Sequence, residues 1–224
     1  MKNTIVKSMS LLLMAVALIN PVKAQEKQKE KIQKSTEIIT EFKRMKESIP
    51  EQLFQQAQGI VIIPNLINAG LGIGGKRGKG VAMVKNASGN WSDPLFVSLT
   101  GGSIGFQAGV QSVDLVLIFK KRSTLLNIGK RTFNLGGDIS VAAGPVGRSS
   151  TADTDYKLTA EVYSYSRSKG LFAGISLNGT VLGVDKDANR AFYGKNRTAA
   201  SVLSSSSKVT YSSVRPLKDA LKNW

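Results

Sequence analysis

The sequence predicts one α+β domain, rich in antiparallel β-strands and preceded by short helices. Three observations lead there. Apolar residues between positions 35 and 57 recur at helical spacing. From Gly59 onward glycine returns every few residues, with short β-branched or alternating runs between. Turn-forming clusters separate those runs.

The chain opens MKNTIVKSMSLLLMAVALINPVKAQ. Lys2 and Lys7 give a basic start, Met9 to Ile19 an apolar run, Asn20-Pro21 a break and Val22-Lys23-Ala24 a small-residue cleavage site. That is the plan of a secretory signal peptide over residues 1–24, and the apolar run is short of the roughly 20 residues a membrane span needs. The mature protein is expected to start near Gln25 and to be exported, periplasmic or extracellular, free or associated with a membrane in a bacterial-type envelope.

Residues 25–34 form a charged lead-in, expected to fray. Ile38, Phe42, Met45 and Ile49 then mark a helix. Ser48-Ile49-Pro50-Glu51 reads as a capping box opening a second helix, which buries Leu53, Phe54 and Ala57 and stops at Gly59, with a hinge near Ser48. GIVIIP reads as a strand ended by Pro64. Further strands are expected at 81–84, 94–99, 113–119, 138–143, 158–166, 171–177 and 180–185. Ala87 to Asn90 marks a turn and Asn178-Gly179 a hairpin. Residues 122–131 are the one helical stretch inside this region. The domain is placed at 35–194, followed by a Ser-rich basic tail, 195–224, with a short closing helix near Pro216 to Leu221.

Composition narrows the chemistry. Cysteine and histidine are both absent. Disulfides, thiolate or imidazole metal sites and His-based nucleophilic catalysis are therefore excluded. The formal net charge is +16, with the excess of cations in the central body and the tail. In an exported chain such a charge suits anionic headgroups or envelope polyanions better than nucleic acid.

NAGLGIGGKRGKGVAMV, residues 68–84, poses the sharpest question. Gly70, Gly72 and Gly75 satisfy G-x-G-x-x-G, and Gly70 to Lys76 begins a Walker-type loop. Both motifs need a helix whose N-terminus faces the phosphates. Here two more glycines and a strand-like run follow, Arg77 stands where the magnesium-binding hydroxyl belongs, and Pro64 interrupts the preceding strand. The stretch reads as a glycine-rich β-hairpin that permits close backbone approach, and Lys76, Arg77 and Lys79 are first candidates for headgroup contact. Lys120, Lys121, Arg122, Lys130, Arg131, Arg148, Arg167 and Lys169 come second. A solvated basic surface is the alternative for all of them.

Other patterns fail. Ser166 to Lys169 gives S-x-x-K without the partner motifs of that hydrolase class. Asp185 to Asn189 starts like a calcium loop but has Arg190 where glycine is needed. Asp153 and Asp155 lie in a polar turn. Tyr163, Tyr165, Phe172 and Tyr193 read as packing residues. No catalytic set, cofactor or metal is expected, and the protein is read as non-enzymatic.

Several segments in order resemble the SYLF lipid-binding domain: Trp91-Ser92-x-Pro94; Gly101-Gly102-Ser103 with Gly105, Gln107, Gly109 and Gln111; Gly144-Pro145-x-Gly147-Arg148; and YSYSRSKGLFAG from Tyr163 to Gly174. The likeness runs from about Ile49 to Gly194. It implies a lipid-binding module, with phosphoinositides bound by eukaryotic relatives and actin filaments by some, often beside SH3 or FYVE domains. In relatives an amphipathic N-terminal segment is linked to lipid binding. The matching stretch here, Ile38 to Phe54, has a nearly neutral polar face. The functional expectation is peripheral binding to anionic phospholipid such as phosphatidylglycerol or cardiolipin, with no actin partner because of export. The alternative is an envelope scaffold that binds a protein or glycan.

Overall fold

A computed structural model describes residues 24–45, 49–145, 159–195, 197–204 and 211–224, with the backbone alone at 71–73 and 103–108. The leader before Ala24, Ser48, Arg148, Asp153 and Asp155 lie outside these residues. The fold is a single mixed α+β domain, as expected, but its centre is unlike a row of short strands. Two strands dominate: β1 (Gly59–Val84) and β2 (Leu95–Phe119). They pair antiparallel from Gly59↔Phe119 to Ala82↔Leu95.

A straight strand as long as β1 would run for roughly 85 Å, so the ribbon has to bend. Two register shifts, at Ile63/Leu66 and Gly70/Gly72, interrupt the ladder. At the first, Asn65 takes φ 50° just after Pro64, and its N–H donates to Asp114 Oδ1 at 3.1 Å. Pro64 therefore marks a bulge, not the end of the strand: proline removes one ladder donor, and the bulge absorbs the loss.

The ribbon folds back until β1 touches itself. A Cβ on Gly78 would lie 2.5 Å from Ile63 Cγ2, and one on Gly80 would lie 2.8 Å from Ile63 Cα, with the Ile62 carbonyl oxygen nearer still. Gly78 and Gly80, which follow the Gly70, Gly72 and Gly75 of the nucleotide-like motif, serve this approach. No helix follows them, which disposes of the nucleotide-loop pattern.

Among the described residues five shorter strands complete the sheet: β3 (Phe133–Leu135), β4 (Val141–Ala143), β5 (Val162–Ser168), β6 (Leu171–Phe172) and β7 (Thr180–Val184). The order is β3-β7-β2-β5-β4, with β1 on β2 and β6 on β5. β7 pairs with the first part of β2 and β5 with the last. Asn178-Gly179 does form a turn, with φ 74° at Gly179, yet it feeds β7 between β2 and β3 and closes no hairpin. The short hairpin is β5–β6, where Lys169 and Gly170 both have positive φ between the Ser168↔Leu171 pair, as a type I′ turn requires.

Apolar side chains fill both faces of the sheet. One cluster receives Ile32, Ile38, Ile39 and Phe42 from a long helix α1 (24–44), then Leu53 and Phe54 from α2 (Glu51–Gln56). The charged lead-in is thus continuous helix: Ile32, fully buried, holds it to the sheet at about 2 kcal/mol for such a side chain. α2 begins at Glu51 with Pro50 as its uncapped flank, and it ends before Gly59, which lies in β1. The other cluster is closed by α3 (Arg122–Leu126), a 3₁₀ turn (Asn127–Gly129) and α5 (Ala199–Ser204). α4 (Lys186–Tyr193) and α6 (Arg215–Lys222) pack on the first cluster.

Polar anchors fix the helices. Asn189 on α4 accepts the Phe96 N–H at 3.0 Å and donates to Phe96 O at 2.7 Å, completing the edge of β2 where the ladder stops. Lys218 on α6 reaches buried Asp93 at 2.7 Å, and Trp224 stacks on Phe54 with centroids 4.2 Å apart. The tail therefore packs into the domain.

Candidate interaction surfaces

The first basic group does not form a loop. Lys76, Arg77 and Lys79 lie within β1, whose side chains alternate between faces. Arg77 and Lys79 point outward on one face. Lys76 points the other way, toward the side where Gly78 meets Ile63 and Leu66, and is only 6 % exposed. Burial alone holds its ammonium below the usual lysine pKa, and no ion pair reaches it among the described residues. The three cations therefore cannot face one membrane together, a consequence of the two-residue period.

Lys79 is engaged as well. It pairs at 2.7 Å with Asp185, whose other oxygen accepts the Ala188 N–H and so caps α4. Burial works to raise Asp185, but Lys79 and the Ala188 N–H outweigh it, and its pKa lies below the ordinary carboxylate value. Asp185 is a helix cap, not the start of a calcium loop. Lys31 on α1 sits nearby with its Nζ 5.4 Å from the Phe96 ring centre, its pKa lowered by burial despite Asp185.

The second group divides. Arg167 is 11 % exposed at its side chain and ties three elements together: it bonds Asp114 on β2 at 2.9 Å, pairs with Glu41 on α1, and lies over the Phe42 ring. It is a strap for α1, closed off from a headgroup. Lys121 pairs with Glu161 at 2.7 Å. Arg122 is half-buried, and its Nε has no hydrogen-bond partner in the described structure. Lys120 is half-buried, whereas Lys130, Arg131 and Lys169 are exposed. Tyr163 and Tyr165 are core residues, in line with their reading as packing residues.

Two features escaped the sequence reading. One is an apolar edge: Ile67, Val110 and Leu171 are exposed. Ile67 pairs with Ser112, Ser112 O accepts the Ser168 hydroxyl, and Ser168 pairs with Leu171, so the three rows meet at one end of the sheet. The other is a cleft between α4 and α5 lined by Lys186, Arg190, Lys195 and Arg197. The spacing of Lys186 and Arg190, one helical turn apart, was its only trace in the sequence. Among the described residues no cluster of carboxylates could hold a metal ion, and no helix is long and apolar enough to cross a membrane.

These features define a single-domain α+β protein in which helices clamp a folded-back ribbon and cations dominate the surface. Residues 100–224 match the family model described as Ysc84, Las17-binding protein actin regulator. The chain belongs to this family, whose domain is the SYLF domain its motifs resemble. It is 37% identical over 159 residues to LAS seventeen-binding protein 3 of Saccharomyces cerevisiae, covering 70% of this chain and 34% of that protein. It is 34% identical over 182 residues to SH3 domain-containing YSC84-like protein 1 of Xenopus laevis, covering 79% and 54%, and 32% identical over 191 residues to its Bos taurus counterpart, covering 82% and 55%. The chain thus spans about a third to a half of these relatives' lengths.

These names correct one expectation. The sequence reading sets actin aside because of the leader and puts anionic lipid first, with a protein or glycan partner of the envelope as the alternative. The matching family is described by actin regulation and Las17 binding, and several relatives carry SH3 in their names. A leader bears on where a chain travels, not on which partner its folded surface fits. The relatives are named for binding and regulation rather than for a catalysed reaction.

Proposed function

We propose that this chain is a non-catalytic binding module whose cationic surface meets an acidic protein of the actin machinery. One observation carries the reading: four of the body's described carboxylates are each engaged by a cation of the fold. Asp93 holds Lys218, Asp114 holds Arg167, Asp185 holds Lys79 and Glu161 holds Lys121. Arg77, Lys130, Arg131 and Lys169 are left exposed, with no ion pair among the described residues. Such a surface steers acidic partners at long range and weakens with salt, over a Debye length of about 10 Å at 0.1 M.

Co-sedimentation with actin filaments, and capture on immobilised Las17, at low and high salt test this. Binding should appear at low salt, fade at high salt, and fall when Lys130, Arg131 and Lys169 become glutamine. A folded chain that binds neither probe at low salt refutes it. A second reading, peripheral binding to anionic phospholipid, is favoured by the exposed Ile67, Val110 and Leu171 beside Lys169. Phosphatidylglycerol vesicles should then retain the wild type and lose the Leu171→Ser, Val110→Ser variant. We also propose that residues 1–24 direct export; the intact mass of protein from the expressing cell should begin at Gln25, and a retained Met1 would refute this.

A further inference from the structure

We propose that the cleft between α4 and α5 is a binding site for a phosphate group carrying two or more negative charges. Its volume is about 240 Å³, below the roughly 300–1,000 Å³ of drug-sized sites, so it suits a group no larger than a headgroup. Lys186, Arg190, Lys195 and Arg197 line it, and no carboxylate does. None of the four is ion-paired among the described residues. The nearest buried acid, Asp185, is held by Lys79 and the Ala188 N–H, while Asp187 on α4 is exposed.

The cleft is built by the fold. Lys186 and Arg190 share one face of α4. Gly194, at φ 83°, turns the chain after α4 so that Lys195 and Arg197 come back to the same opening. On the far wall a Cβ at Gly129 would lie 2.8 Å from Ala199 Cβ, so glycine lets the 3₁₀ turn close against α5. Thr198 Oγ1 accepts the Ser201 N–H, which leaves its own proton directed to no protein acceptor among the described residues. Two guanidinium forks, two ammonium groups and a hydroxyl donor match the several oxygens of a phosphomonoester or pyrophosphate. A single carboxylate would leave most of those donors without an acceptor. Lys130, Arg131 and Lys169 do not line the cleft.

The phosphate can belong to a soluble ester or to a lipid headgroup, and the experiment separates them. Calorimetry with pyrophosphate is run beside sedimentation with vesicles of phosphatidylcholine with and without phosphatidate. Each is repeated on Arg190→Gln, Arg197→Gln and on a charge-matched control on α6, Arg215→Gln, Lys222→Gln. Pyrophosphate binding reduced at least tenfold by the cleft variant and unchanged by the control assigns a soluble ligand. Phosphatidate-dependent sedimentation alone, with the same dependence on the two variants, assigns a headgroup. Equal losses in both variants mean diffuse attraction and overturn the proposal, as does no binding to either probe. All four positions are exposed, so unchanged melting of the variants is expected and is checked first.

Discussion

Replacing Gly80 with alanine tests the folded-back ribbon most directly. A Cβ there would lie 2.8 Å from both Ile62 C and Ile63 Cα, with the Ile62 carbonyl oxygen closer, where ordinary contacts start at 3.4 Å. All three atoms are backbone, so no side chain can swing aside. The two arms of β1 would have to part by more than half an ångström, between Val61, Ile63, Ala82 and Val84, all fully buried. Overpacking a well-filled core costs about 1–3 kcal/mol, and a backbone clash belongs at or above the top of that range. Gly102 is the control: its Cβ would meet nothing within 4 Å and its φ is not in the left-handed region. Gly102→Ala should leave stability unchanged or raise it by about 0.4–1 kcal/mol. Urea unfolding of the two variants, followed by circular dichroism, decides the matter. If Gly80→Ala folds with the wild-type midpoint, the arms of β1 are not in contact and the account of Gly78 and Gly80 fails.

Two other substitutions address buried charge. Lys76 has its pKa depressed by burial, so the folded state holds that proton less tightly than the unfolded chain. The penalty is present in full below the folded pKa and gone above the unfolded value of 10.5, so stability should rise with pH across that window. Lys76→Met should raise the neutral-pH stability by about 1 kcal/mol and remove its share of the pH slope, read from melting temperatures at several pH values. A lower melting point with an unchanged slope would contradict this. Arg167→Met should cost about 2–3 kcal/mol, less than the 3–5 of a fully buried pair because Glu41 is half exposed. It should also free α1, seen as rapid protease cleavage within residues 24–44. Cleavage at the wild-type rate would show that the strap is not what holds the helix.

The sequence determined by itself whatever depends on local period and residue type. Alternating or β-branched runs marked the strands expected at 81–84, 94–99 and 113–119, helical spacing marked the second half of α1 and the buried face of α2, and the ordered motifs from Trp91 to Gly174 marked the family. The glycine motif was legible as a structural feature because no helix could follow it. What the sequence could not decide was which surfaces meet. Asn189 and Asp185 resembled fragments of a calcium loop until a strand edge and Lys79, both distant in sequence, came within bonding distance. Arg167 resembled a surface cation until Asp114 and Glu41 closed on it. Lys76 and Arg77 looked like one basic patch because adjacency in the chain is visible, whereas the side of the sheet each faces follows from the strand they occupy. The cleft between α4 and α5 exists only because Gly194 reverses the chain and Gly129 lets the wall close. The physical reason is the same in each case: pairing and burial are set by contacts between residues far apart in sequence, and only the folded chain brings those residues together.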